Sequence, residues 1–158
     1  MPNWCMNRLT ISHEDKSKVD EFVAAYKSGT TCDHYLPTPR GADGDIVRDE
    51  NHPDYWYRHN TSVWGTKWDF GGEDKFIEQT GNNAIASFDT AWSPPEGLYE
   101  HLVTLGFDVD ATYCEPGVGF AGRWHNGEDD WYEDFSEFPD DLIEEYNLRE
   151  FLEEDAAT

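Results

Sequence analysis

The sequence predicts an α+β fold in which segregated helices cover a largely antiparallel sheet. Three observations predict it. Strand-like alternation recurs in separated stretches, helical spacing follows two of them, and the later chain carries the hairpin signal Asn126-Gly127. The expected order is strand, helix, irregular insertion, strand, helix, strand, then a hairpin and a terminal helix.

The stretch NWCMNRLTISH sets Cys5, Leu9 and Ile11 in alternation with Met6, Arg8 and Thr10, the pattern of a strand with one buried face. Ser12 with Asp15 resembles an N-cap signature, and Val19, Phe22, Val23 and Tyr26 then recur at helical spacing before Gly29, so a helix is expected from His13 to Lys27. Residues 30–60 hold three prolines and two glycines without a sustained period, and read as a long insertion with at most short pieces of structure.

The following SVWGTKWDF is expected to be extended, Gly71-Gly72 to turn, and EDKFIEQTG to be weakly helical. NAIASFDTAW reads as a strand through Ile85 and Phe88. Ser93-Pro94-Pro95-Glu96 reads as a helix start capped by serine, with Leu98, Leu102, Val103 and Leu105 as the buried stripe and Gly106 as the stop. In FDVDATY, Phe107, Val109, Ala111 and Tyr113 point inward and Asp108, Asp110 and Thr112 outward. A last pair of strands is expected about Asn126-Gly127, because both central residues of a type I′ turn need positive φ. Pro139-Asp140-Asp141 then opens a helix carrying Leu142, Ile143, Tyr146, Leu148, Phe151 and Leu152.

At 158 residues the chain is expected to form one domain, long enough to bury about 68–70% of its unfolded surface. Its 34 acidic against 11 basic residues give a formal net charge of −23. Such a surface repels nucleic-acid phosphates and anionic lipid, which argues against direct nucleic-acid or membrane-surface binding and favours a basic partner. Fourteen of the carboxylates fall between Glu128 and Asp155, beside the single cation Arg149. They are Glu128, Asp129, Asp130, Glu133, Asp134, Glu137, Asp140, Asp141, Glu144, Glu145, Glu150, Glu153, Glu154 and Asp155. The last four oppose the dipole of the terminal helix, so helix stability does not account for them and a surface role does.

No apolar run reaches the roughly 18–20 residues of a membrane span, and Met1-Pro2-Asn3-Trp4 lacks the form of a signal peptide, so a cytoplasmic protein is expected. Cys5, Cys32 and Cys114 form no CxxC pair and read as reduced, buried thiols.

Four blocks, PNWCMNRLTI, WGTKWD, FDTAWSPP and YCEPGVGFAG, occur in an order that resembles the YubB/Api-like group of plasmid- and phage-borne proteins. The resemblance runs from Pro2 to Gly122 and implies a ferredoxin-like βαββαβ antiparallel sheet. Residues 30–60 are then an insertion after the first helix, and 128–158 an acidic C-terminal segment that departs from the group. The topology implies no iron–sulfur cluster, and the group supplies no catalytic residues to transfer.

Cys32, His34, His52 and His59 are the places where thiol and imidazole crowd together, but no zinc-ligand spacing is present. They are the candidates should the protein be a metal-dependent or Cys/His enzyme. PRGADGD lacks the GK[ST] of a phosphate loop, and Asp43, Asp45, Asp49 and Glu50 lack the spacing of a calcium loop. No metal or cofactor is expected.

Trp4, Trp64, Lys67, Trp68 and Trp92 form either a structural aromatic cluster or an alternative binding site, with Trp64 and Trp68 expected to pack inward. Lys67 is expected over Trp64 or Trp68, or paired with Asp69. The functional expectation is a non-enzymatic accessory protein of a phage or plasmid. Its acidic face would engage a basic nucleic-acid-binding host protein by DNA mimicry, in counter-defence. A non-enzymatic assembly module, with acidity serving only solubility or halophily, is the other expectation.

Overall fold

The computed structural model of the protein describes residues 3–149. Glu150, Phe151, Leu152, Glu153, Glu154 and Asp155 of the expected terminal helix lie outside the described residues. Strands β1 (Trp4–Ser12), β2 (Phe76–Thr80), β3 (Asn83–Ala91), β4 (Asp108–Glu115), β5 (Phe120–His125) and β6 (Glu128–Tyr132) form one sheet in the order β2-β3-β1-β4-β5-β6. Every neighbouring pair is antiparallel. Helices α1 (Lys16–Lys27) and α4 (Glu96–Thr104) make the two crossovers, each skipping one strand. The first four strands with these helices therefore follow the βαββαβ order of a ferredoxin-like sheet, and β5 and β6 extend it at the β4 edge.

Within the first crossover, between α1 and β2, lie the short helices α2 (Thr31–Tyr35) and α3 (Trp56–His59), the latter running into a π-helical turn over Asn60–Trp64. Two isolated bridges, Arg40 with Ile46 and Val47 with Tyr55, tie the rest of the insertion together. The main core places Val19, Phe22 and Tyr26 of α1 and Leu98, Tyr99 and Leu102 of α4 on Leu9, Ile11, Phe88, Val109 and Trp124 of the sheet. Ala84, Ala86 and Ala111 in that sheet face let the helices approach closely. From α1, the Tyr26 hydroxyl donates to the carbonyls of Phe76 (2.8 Å) and Ser87 (3.1 Å), bridging the β2–β3 edge. Burial pushes this phenol up to about 12.

Helix α5 (Asp140–Glu145) covers part of the opposite sheet face. Leu142, Ile143 and Leu148 pack with Phe138 on Cys114 and Ala121. Thr112, expected to face outward, is buried there, its hydroxyl donating to Glu145 Oε1 at 2.9 Å and sharing a bond with the Tyr146 hydroxyl at 2.8 Å. The correction has a simple cause: from Ala111 onward β4 lies between two layers, so both of its faces are covered there, while Asp108 and Asp110 stay exposed. In the turn after β4, the buried carboxylate of Glu115 accepts from the amides of Gly117 (2.6 Å) and Val118 (2.7 Å), which gives the CEPGVG block a structural purpose.

Other elements differ from expectation. Residues 76–80 pair as β2 with β3 rather than forming a weak helix, because the hairpin at Gly81 supplies a partner strand that outweighs local propensity. Helix α1 starts later than expected, at Lys16, with Asp15 as N-cap accepting from the Ser17 amide at 3.0 Å. Ser93 does not cap α4; its hydroxyl donates to the Gly65 carbonyl at 2.5 Å, and Pro95 occupies the cap position. The expected extended run at SVWGTKWDF is instead the π-helical turn ending at Trp64, followed by irregular chain. At the β5–β6 hairpin, Asn126 (φ 47°) and Gly127 (φ 104°) both adopt the positive φ expected of them. No helix among the described residues is long and apolar enough to cross a membrane.

Candidate functional site

The segment Trp64 to Asp69 turns one sequence block to several purposes. Trp64 is buried, and its indole N–H donates to the Leu36 carbonyl at 2.7 Å, pinning the insertion to the core. Gly65 adopts φ 89° because the chain reverses there against the start of α4; a side chain on Gly65 would sit 3.1 Å from the Glu96 nitrogen. One on Gly97 would collide with the Val63 carbonyl. Buried Thr66 donates to the Ala91 carbonyl at 2.9 Å. Asp69 accepts from the amides of Cys32 (2.7 Å), Asp33 (2.9 Å) and Phe70 (2.9 Å), so it caps α2 across the fold and is not the partner of Lys67.

Trp68, expected inward, is 39% exposed, and Trp4 and Trp92 are 44% and 40% exposed. Their rings are linked. Trp4 and Trp68 lie 6.0 Å apart, and Lys67 Nζ stands 4.6 Å from the Trp68 ring centroid and 5.0 Å from that of Trp92. Tyr57 closes the group, 6.3 Å from Trp92. The lysine thus bridges exposed rings and not the buried Trp64. Trp92 has φ 70°, unusual for a bulky residue, and the Ser93 amide donates back to the Ala91 carbonyl at 2.9 Å around it. That strained γ-turn holds the indole at the surface.

Beyond Trp92 a cavity of about 270 Å³ opens at the start of α4, lined by Trp92, Pro94, Glu96, Tyr113, Phe120 and Trp131 among others. Trp131 is 53% exposed and stacks on Phe120 with centroids 5.1 Å apart. Trp4, Trp68 and Trp92 therefore form one ridge linked through Lys67, and Trp131 extends it across the cavity whose lining it shares with Trp92. The Glu96 carboxyl is pushed up to about 8, chiefly by burial, then by its hydrogen bond and charge contact with Asp129 and by the charge of Glu100. Asp129 Oδ1 also accepts from the Tyr113 hydroxyl at 2.6 Å. At neutral pH the Glu96 carboxyl is thus held protonated beside Asp129.

The strand register divides the acidic residues. Asp129 aligns with Trp124 and Ala111 on the face covered by α4. Glu128 and Asp130 align with His125 and Arg123 on the α5 side. There, Asp141 pairs with Arg123 at 2.9 Å, Glu145 with Arg8 at 3.8 Å, and Glu144 with Arg149. Asp134 accepts from the Ser136 amide at 2.9 Å, and Glu133, Glu137 and Asp140 are exposed on the connection into α5 and its first residue. A second cavity, of about 600 Å³, lies between the open sheet face and α5, with Trp4, Arg8, Lys75, Asp89 and Glu145 in its walls.

The Cys/His candidates receive separate partners. Cys32 is fully buried, and burial with the Asp69 charge holds its thiol well above the usual range. His34 faces Glu21 at 3.8 Å, His52 Nδ1 accepts from the Asp54 amide at 3.0 Å, and His59 Nδ1 bonds Asn60 Oδ1 at 3.2 Å. No group of these residue types that could hold a metal occurs among the described residues. Glu96, Phe120 and Trp131 escape a sequence reading: Glu96 passes for an ordinary first-turn carboxylate and Trp131 is hidden inside an acidic run. A tryptophan directly after Glu128-Asp129-Asp130, in a strand of exposed carboxylates, is the signal that could have marked the latter.

The fold and the ridge define an α+β protein with a ferredoxin-like strand order and an aromatic, acid-flanked surface. No protein-family model and no curated protein matches the chain. Among solved structures it is similar to the crystal structure of the protein Api92 from Yersinia pseudotuberculosis, a DUF1281 protein, at 12% identity. The likeness covers 84% of this chain and 98% of that one, with a TM-score of 0.48.

Proposed function

We propose that this protein works by binding, and that it docks a basic partner protein on the Trp4–Trp68–Trp92–Trp131 ridge. The observation that supports this reading most strongly is the ridge itself: linked, exposed indoles on a surface of formal net charge −23. Contiguous exposed apolar patches mark interaction sites, and tryptophan is the residue type most enriched among those that dominate binding energy. The surrounding carboxylates steer a cationic partner and repel an anionic one.

The motif resemblance extends the reading. An accessory protein of a phage or plasmid, present in the host cytoplasm, would use this surface against a basic nucleic-acid-binding host protein. The exposed carboxylates of β6 and its connection to α5 would then stand in for phosphates, which is DNA mimicry in the service of counter-defence.

Titration with a short arginine-rich peptide and with a single-stranded oligonucleotide, followed by tryptophan fluorescence at low and high salt, tests the reading. The peptide is expected to bind, more weakly as salt rises, and the oligonucleotide not to bind. Replacing Trp68 by Ala is expected to weaken the peptide roughly tenfold or more, the range of a central interface tryptophan. Unchanged peptide binding by that variant, or preferential binding of the oligonucleotide, would overturn the proposal.

A further inference from the structure

We infer that the cavity at the start of α4 receives the guanidinium of a single arginine side chain from the partner, with Trp92, Phe120 and Trp131 as walls and Glu96 and Asp129 as counter-ions. This rests on the binding reading above and names the chemistry at one end of the ridge.

Size comes first. A volume of about 270 Å³ falls below the roughly 300–1,000 Å³ of sites that enclose a small molecule, and suits one inserted side chain. The walls come second. Phe120 and Trp131 stack at an interplanar angle of 29°, Tyr113 meets Phe120 at 62°, and Trp92 is held in place by its positive φ. Rings in this arrangement offer electron-rich faces to a cation.

Charge comes third. Glu96 lines the cavity, with Glu100 and Asp129 close to it and Asp129 bonded to the wall residue Tyr113, and among the described residues none of the three takes part in an ion pair. On the opposite, α5 side of the sheet the carboxylates of Asp141 and Glu145 do find an arginine. The acidic groups at the cavity therefore have no ion-pair partner among the described residues, Lys67 lying over the Trp92 ring instead. A guanidinium meets these demands better than an ammonium, because it is planar, weakly hydrated, stacks on aromatic faces and bonds carboxylates in pairs.

The site also has a proton to release. The groups facing Glu96 are Asp129 on β6, Tyr113 on β4, and Glu100 and Tyr99 on α4, all of them acids. An arriving cation favours the ionised form of Glu96, so binding expels its proton, strengthens as pH rises toward about 8 and levels off above it. Arginine remains charged throughout that window.

The test uses the full chain and two peptides of equal length and spacing, one with arginine and one with lysine, in calorimetry with buffers of different ionisation enthalpy. The arginine peptide is expected to bind roughly tenfold more tightly and to release a proton near neutral pH. Glu96→Gln and Asp129→Asn are each expected to weaken it roughly tenfold, and Glu96→Gln to remove the proton release, which Asp129→Asn only reduces because burial alone keeps Glu96 raised. Equal affinities, or tight arginine binding without proton release in the wild-type chain, would overturn the assignment while leaving the ridge intact. Failure of both peptides to bind would remove the ridge reading itself. A trimethyl-lysine peptide that outbinds arginine would overturn the choice of guanidinium.

Discussion

Asp69 and Cys32 lie far apart in the sequence, yet Asp69 Oδ1 accepts from the Cys32 amide at 2.7 Å while Oδ2 takes the amide of Asp33 at 2.9 Å. One carboxylate thereby caps α2 and fixes the insertion to the segment that carries Trp68. Asp69→Ala leaves three partly buried amides, those of Cys32, Asp33 and Phe70, without this acceptor. It is expected to cost about 1–2 kcal/mol in chemical denaturation, with Asp69→Asn losing less because one acceptor oxygen survives.

The contact between the π-helical turn and α4 is tighter still. Gly65 has φ 89° and Gly97 meets the Val63 carbonyl with no room for a methyl group. Gly65→Ala is expected to lose about 1–2 kcal/mol from the left-handed backbone alone. Gly97→Ala is expected to lose about 1–3 kcal/mol by overpacking and to shift the ridge. Thermal melting checks the first effect, and the near-ultraviolet circular dichroism of the tryptophans checks the second.

The Glu96–Asp129 pair makes stability depend on pH in a stated direction. Glu96 is raised from 4.5 to about 8, so between those values the folded chain binds a proton that the unfolded chain has lost. Stability falls as pH rises through that window. Glu96→Gln removes the contribution. The melting temperature of this variant relative to wild type is expected to climb between about pH 5 and about pH 8; a constant difference would contradict the raised Glu96 carboxyl.

Burial raises all three thiols, that of Cys114 up to about 12 and those of Cys5 and Cys32 further. Because the thiolate is the reactive form, a thiol reagent at mildly alkaline pH is expected to modify none of them in the native chain and all three in denaturant. Rapid native labelling of Cys32 would revive it as a nucleophile.

Strands β1, β3 and β4 are legible in the sequence because each keeps one face in the main core, and Leu9, Phe88 and Val109 mark that face by alternation. Strand β2 is not, since its outward residues include Phe76 at 53% exposure and its identity comes from pairing with β3. The turn through Trp64 has no period to read, because Gly65 and Gly97 shape it from two distant segments. Trp4, Lys67, Trp68 and Trp92 stand out as a group, but the direction in which an indole points depends on tertiary packing. The Glu96–Asp129 pair joins a helix start to an edge strand, and only the β4–β5–β6 register brings them together.

The central claim is that the exposed indoles form the docking surface, and the seven tryptophans give it a direct readout. An arginine-rich peptide titrated into the ¹⁵N-labelled chain is expected to shift the indole N–H resonances of Trp4, Trp68, Trp92 and Trp131 together, reversibly with salt, while those of buried Trp64 and Trp124 stay in place. Shifts confined to the backbone amides of α5 and the acidic connection before it, with the four ridge indoles unmoved, would contradict the account.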